Sequence, residues 1–209
     1  MGNTSNKSIG YHGIQDVVAI MRIVGVPGTE KIEVPYAQNL SLQAVINEIA
    51  RYADNRKVGT RYSNNGYTGN LGFTARDSEL EAAAGIQVSI EGGIARASAR
   101  GAVSFDIFYK HIEAMEDGSD RLIKNWLRNV SLGPPEENYE TDSDNIEFGA
   151  YVYPITVLGD KAMKNATEVW VDENGMETTL TYMRSSPGES NYETFGDAVP
   201  APIIVDVTP

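Results

Sequence analysis

Short runs of alternating apolar and polar residues, separated by glycine- and proline-bearing turns, occupy most of the chain. Period-two alternation with β-branched and aromatic enrichment predicts strands. Asp16–Val24 is rich in β-branched and apolar residues, and Ser104–Ile112 holds Phe105, Ile107, Phe108 and Tyr109. Ile146–Leu158 alternates through Phe148, Tyr151 and Tyr153, Glu177–Arg184 sets Thr178, Leu180 and Tyr182 against Thr179, Thr181 and Met183, and Ile203–Val207 reads as a last strand. Turns are expected at Val26-Pro27-Gly28, Asn65-Gly66, Glu91-Gly92-Gly93, Asp117-Gly118, Asn174-Gly175 and Pro187-Gly188, because Gly and Asn accept the positive φ that tight hairpins require.

One segment fits two periods. Leu40, Leu42, Ala44 and Ile46 alternate as a strand would, while Leu42, Val45, Ile46, Ile49, Ala50 and Ala53 also follow a helical repeat. Asp77–Gly85 predicts a short helix, with a capping Asp, early acids, good helix formers and a terminal Gly. Asp160–Ala166 is a second candidate for a helical turn or two. The acidic stretch Pro134–Asp144 reads as an exposed loop. No fixed-period repeat and no linker divides the 209 residues, so one domain, 1–209, with a flexible N-terminal arm over about residues 1–13 is expected.

Composition narrows the chemistry. Cysteine is absent, which excludes thiolate zinc sites and cysteine nucleophiles. His12 and His111 are the only histidines, and neither has a second ligand at metal-binding spacing. There is no Gly-x-Ser-x-Gly elbow and no phosphate-cradling glycine loop. Asp142-x-Asp144 opens like a calcium loop, but Ile146 falls where the next oxygen ligand belongs. Trp126 and Trp170 could serve as sugar platforms, although core or interface packing is the plainer use of single large aromatics. Neither an enzyme nor a cofactor or metal site is expected. No run approaches the roughly 18 apolar residues of a membrane span, and the opening Met1–Gly13 lacks the apolar stretch of a secretory signal. Net charge is −12, all of it from the last third: residues 1–135 carry fourteen acids and fourteen bases, and residues 136–209 carry fifteen acids against Lys161, Lys164 and Arg184. Such a surface repels the phosphate backbone.

The stretch Arg51–Ala75 carries a resemblance. Tyr52-Ala-Asp-Asn55 followed by Ser63-Asn-Asn-Gly-Tyr-Thr-Gly-Asn-Leu71 resembles the major tail proteins of long-tailed siphophages that infect Gram-positive bacteria. The order of the remaining segments is similar: the helix candidate Asp77–Gly85, the aromatic run Phe105–Tyr109, the Asp117-Gly118 turn, Arg121–Leu132, an acidic loop and a closing portion over Glu168–Pro202. Residues 86–104 depart from the family pattern.

The resemblance implies a mainly β, sandwich or barrel tail-tube fold with one flanking helix and extended loops, and it decides the ambiguous Leu40–Ala53 for strand. It further implies a virion tail protein, made in the host cytoplasm, that forms stacked hexameric rings through which DNA passes without specific binding. Its partners would be copies of itself with tape-measure, tail-initiator and tail-terminator proteins, and no membrane. Subunit contacts are expected at Tyr52, Asp54, Asn64, Asn65, Gly66 and Tyr67, and an acidic surface at Glu136, Glu137, Glu140, Asp142 and Asp144. A tube subunit of a contractile or secretion apparatus, a carbohydrate-binding β-sandwich or receptor adhesin, and a virion decoration protein are the competing readings.

Overall fold

The computed structural model describes residues 7–23, 25–53, 56–97, 103–136, 151–172 and 175–204, with side chains for all of these except 49–53, 57–59, 61 and 62. The fold is mainly antiparallel β with one short helix. In chain order the elements are β1 (Ser8–Ile23), β2 (Val26–Glu33), β3 (Ala37–Ala53), β4 (Arg56–Phe73), α1 (Ser78–Ala83), β5 (Gln87–Ile90), β6 (Gly93–Arg96), β7 (Ser104–Met115), β8 (Asp120–Leu132), β9 (Tyr151–Val157), β10 (Asp160–Lys161), β11 (Thr179–Leu180) and β12 (Tyr182–Ser185). The main sheet runs β2-β1-β7-β8-β9-β4-β3, with β12 also paired to β8; β5–β6 and β10–β11 form two-stranded sheets.

The sheet curls around one apolar core. Alternation along β7 sends Phe105, Ile107 and Tyr109 inward, where they meet Val17 and Ala19 of β1, Leu71 and Phe73 of β4, Tyr153, Ile155 and Val157 of β9, and Leu80 of α1. The opposite face is not bare. Ile20, Phe108 and Trp126 are covered by Phe195 from the C-terminal segment, and the Trp126 indole N–H donates to the Phe195 carbonyl at 2.7 Å. Trp126 is therefore wholly buried (0% exposed) and offers no sugar platform, whereas Trp170 is half-buried.

A bulge in β8 explains how its residues serve two partners. The pairs Phe105↔Val130 and Ile107↔Leu127 put one extra residue on β8, and Asn129 takes it up with φ of 52°. The parity change lets both Leu127 and Val130 face the core. On its other edge β8 pairs β12 through Lys124–Leu127 and β9 through Val130–Leu132, changing partner at the bulge.

Local signals placed α1 well. Asp77 caps it, its Oδ1 accepting from the Leu80 N–H at 3.0 Å, and Gly85 follows with positive φ. Glu81 is buried but not stranded: it accepts from the Tyr153 hydroxyl at 2.7 Å and pairs with Arg76 at 2.6 Å. Leu40–Ala53 is strand, the Asp117-Gly118 turn joins β7 to β8, and Glu91-Gly92 joins β5 to β6.

Four expectations are corrected. The first turn is at Gly25 (φ 77°), so Val26, Pro27 and Gly28 lie inside β2, an outer strand where proline's missing N–H costs no ladder bond on the free side. Asn65-Gly66 is no hairpin turn; both residues lie within β4. Asp160–Ala166 forms no helix, because Asp160 is drawn into ion pairs and continues into the β10–β11 pair. Within the expected N-terminal arm, residues 8–13 are strand, laddered on β7 from Ser8↔Met115 to His12↔Ile112.

Candidate functional site

The chain's longest ladder leaves the body of the molecule. β3 and β4 pair from Ala37↔Phe73 to Ala53↔Arg56, but β4 is held by β9 only from Tyr67↔Val157 to Phe73↔Tyr151. Beyond Tyr67 the two strands ladder only with each other among the described residues, and at roughly 3.3 Å per residue the segment 46–53 alone reaches ~25 Å. Val45 and Ile46 are exposed there, Ile46 at 59%. An isolated two-stranded ribbon is marginal in water, and an uncovered edge is a template for another strand. β2 and β3 end the sheet path, so among the described residues each pairs on one side only.

The subunit-contact candidates divide along this ribbon. Tyr52 is a β3 residue opposite Lys57, and Asp54 lies outside the described residues. Asn64 and Asn65 are exposed where the ribbon leaves the body. Gly66 is buried with φ of 111°, and a Cβ there would fall 2.2 Å from the Val157 carbonyl oxygen. Its N–H is taken by Asn64 Oδ1 at 3.0 Å. The Asn-Gly pair thus makes a bulge that lets β9 approach, and the register shifts across it, between Ala44 and Ile46. Tyr67 is half-buried and packs against the core. Of the acidic-surface candidates, Glu136 is exposed and its N–H donates to the Val152 carbonyl at 2.9 Å, while Glu137, Glu140, Asp142 and Asp144 lie outside the described residues.

Two features were not found from the sequence. One is a charge cluster at the β8 bulge. Arg22 Nη1 donates to Asp106 Oδ1 at 2.8 Å and Arg22 Nη2 to Asp160 Oδ1 at 2.7 Å; Arg128 Nε donates to Asp160 Oδ2 at 3.0 Å, and its Nη1 donates to the Pro200 carbonyl at 3.0 Å. Two arginines and two aspartates balance in charge. The bulge residue completes the cluster, the Asn129 N–H reaching Asp106 Oδ1 at 3.1 Å. Asp106 Oδ2 is buried without a partner, and burial pushes its carboxyl above the ordinary carboxylate range against the pull of Arg128, the Asn129 N–H and Arg22. This cluster ties β1, β7, β8 and the C-terminal segment together.

The other feature is a cleft of about 550 Å³ at the mouth of the curled sheet. Tyr109, His111 and Glu113 occupy alternate positions of β7, and Tyr182 and Arg184 alternate positions of β12, so each strand turns one row of side chains to the cleft. Beneath them Asn125, fully buried, fixes the row. Its Nδ2 lies within reach of the Tyr109 and Ile123 carbonyls, both 3.3 Å away, and carbonyls only accept; the amide nitrogen must therefore sit on that side. The same nitrogen is 2.8 Å from His111 Nδ1, which must then be the acceptor and leaves the ring proton on Nε2. Asn125 Oδ1 accepts from the Tyr182 hydroxyl. Burial holds the His111 pKa below its ordinary value, with Glu113 opposing and Arg184 assisting. Glu113 and Arg184 form an ion pair at 2.9 Å.

No group of three or more His, Asp or Glu among the described residues could hold a metal ion. Among these residues no helix is long and apolar enough to cross a membrane. No protein-family model and no curated protein matches the sequence. In fold, the chain is similar to a chain of the anti-feeding prophage baseplate, from a six-fold symmetrised cryo-EM structure, at TM-score 0.43 and 8% identity over 73% of this chain and 92% of that one. It is similar to the crystal structure of an Hcp protein at TM-score 0.34 and 7% identity over 68% and 88% of the two chains. Likenesses of this degree leave function to the chain's own residues and geometry.

Proposed function

We propose that this chain is a structural subunit of a phage tail, a tail-tube protein that works by assembling rather than by catalysis. The observation that carries the reading is the β3–β4 ribbon: a long ladder that, among the described residues, no third strand supports beyond Tyr67, with an exposed isoleucine, in a sheet whose end strands are there paired on one side only. A monomer that left such edges uncovered would risk indiscriminate pairing; a ring that joins sheet to sheet uses them. Of the stretches that resemble siphophage major tail proteins, Tyr52, Ala53 and Ser63–Leu71 lie on this same ribbon and its root.

In this reading hexameric rings stack head to tail, and a tape-measure protein, an initiator and a terminator set the length. The acidic excess of residues 136–209 supplies a wall past which DNA slides without binding. Tyr52, Asn64 and Asn65 belong to the subunit contact, whereas Gly66 and Tyr67 act by shaping the root of the ribbon. The test is negative-stain electron microscopy of the purified protein at rising concentration, beside analytical ultracentrifugation. Hollow rings or tubes of uniform width are expected. Discrete monomers or dimers at every concentration, with or without an added tail initiator, would reject the proposal.

A further inference from the structure

We infer that the cleft at the mouth of the curled sheet binds a neutral pyranoside, a role that goes beyond assembly and does not depend on it. The cavity lies within one chain, and its volume of about 550 Å³ is in the range of small-ligand sites, which recur at the mouths of β-barrels. Its lining is two-natured. Apolar surface comes from Ile14, Leu40 and Leu42 of β1 and β3, and polar groups come from His12, Gln38 and Asn39 of the same strands and from His111, Glu113 and Arg184 of β7 and β12. A sugar ring has the same division, with an apolar C–H face and a hydroxyl rim.

The polar side narrows the class further. Glu113 and Arg184 neutralise each other at 2.9 Å, so a charged ligand would compete with a pair already made. A hydroxyl both donates and accepts, and can bridge such a pair without breaking it. His111 adds a donor: with Nδ1 held by the Asn125 amide, the Nε2–H has no protein partner among the described residues. Because Asn125 is itself locked by two backbone carbonyls and Tyr182, that donor is held in place before any ligand arrives. At the lip stands Tyr11, 82% exposed and edge-on to the His111 ring at 6.1 Å, an aromatic surface left open among the described residues.

The test is a two-dimensional amide NMR titration of the full-length, unassembled protein with glucose, galactose, N-acetylglucosamine and their β-linked disaccharides, with glucuronate and phenol as charged and aromatic controls. The expected result is that at least one neutral sugar shifts amides around residues 111–113 and 182–184 and that glucuronate and phenol do not. Tyr11→Ala, which removes an exposed ring, and His111→Asn, which keeps an acceptor for Asn125 but loses the Nε2–H, should each weaken binding about tenfold. Absence of shifts with every neutral sugar, a response only to glucuronate or phenol, or binding unchanged in both variants would overturn the inference. Tubes without sugar binding would remove this site and leave the assembly reading standing; sugar binding without tubes would do the reverse.

Discussion

The β8 corner and the β3–β4 ribbon answer the same physical problem in opposite ways. At the corner, a sheet changes partner inside the molecule, and every consequence but one buried oxygen, Asp106 Oδ2, is met internally: the bulge N–H is taken by Asp106, the two aspartates by Arg22 and Arg128, and the outer face by Trp126 under Phe195. On the ribbon, strands run past the last described neighbour that supports them, and the described side chains between Val45 and Glu48 are all exposed. The corner's stability is complete within one chain. The ribbon finds no such cover among the described residues, and in the proposed assembly a second copy would supply it.

The comparison breaks most easily at Asp160. Asp160→Ala leaves Arg22 and Arg128 to share Asp106 alone, and removing one member of a buried pair costs about 3–5 kcal/mol. Thermal and denaturant unfolding should show this loss for the whole body, while amide exchange on residues 46–53, which is expected to be fast in the free subunit, should stay as it was. Gly66→Ala comes next, since it tests the joint between the two regions. An alanine there needs a φ of 111° and a Cβ 2.2 Å from the Val157 carbonyl oxygen, so the β4–β9 ladder must part. A loss of ~1–3 kcal/mol is expected, with exchange accelerated at Tyr67–Leu71 rather than at the corner. Unchanged stability would mean that the ribbon is not anchored through this bulge. Ile46→Ser is smaller and sharper. Stability of the free subunit should move by less than about 0.5 kcal/mol, yet the concentration needed for assembly, read by sedimentation, should rise about tenfold if a second copy covers this side chain. Equal assembly would place the contact elsewhere.

What could be seen from sequence was what neighbours along the chain decide. The cap at Asp77 with its helix, the aromatic alternation of Ser104–Ile112 and the Asp117-Gly118 turn all depend on residues a few positions apart. The misreadings depend on distant groups. Asn65-Gly66 has the composition of a turn, but Val157, from β9, decides that the glycine opens a close approach within a strand. Asp160 begins a helix-like stretch, but Arg22, far back in the chain, and Arg128 hold it extended. The cleft is assembled from β1, β3, β4, β7, β8 and β12, so no local pattern announces it. Part of its signal was present: Tyr109, His111 and Glu113 at alternate positions put three polar-tipped groups on one face of a strand whose other face carries Phe108. Such a row on a central strand needs something to face, and it faces the cavity.

The smallest effect concerns acid. The Asn125 amide donates to His111 Nδ1, so the folded protein holds the imidazole neutral, and burial depresses its pKa below the ordinary 6.5. Protonation is therefore easier in the unfolded chain. The stabilisation from this site is complete above pH 6.5 and is lost as pH falls below that value through the folded-state pKa. Glu113 and Arg184 face the same ring and act in opposite senses, Glu113 favouring the charged form and Arg184 the neutral one. Breaking their ion pair by Glu113→Gln should therefore deepen the acid loss, since Arg184 then acts alone. His111→Asn should flatten it, because an amide oxygen replaces Nδ1 as the acceptor for Asn125 and cannot take up a proton in this range. The measurement is the unfolding free energy of the three proteins between about pH 7.5 and about pH 5, the range across which an unperturbed histidine titrates. Parallel curves for wild type and His111→Asn would show that the acid sensitivity lies elsewhere, and the corner, where burial rather than pairing sets the Asp106 carboxyl, would be the next place to look.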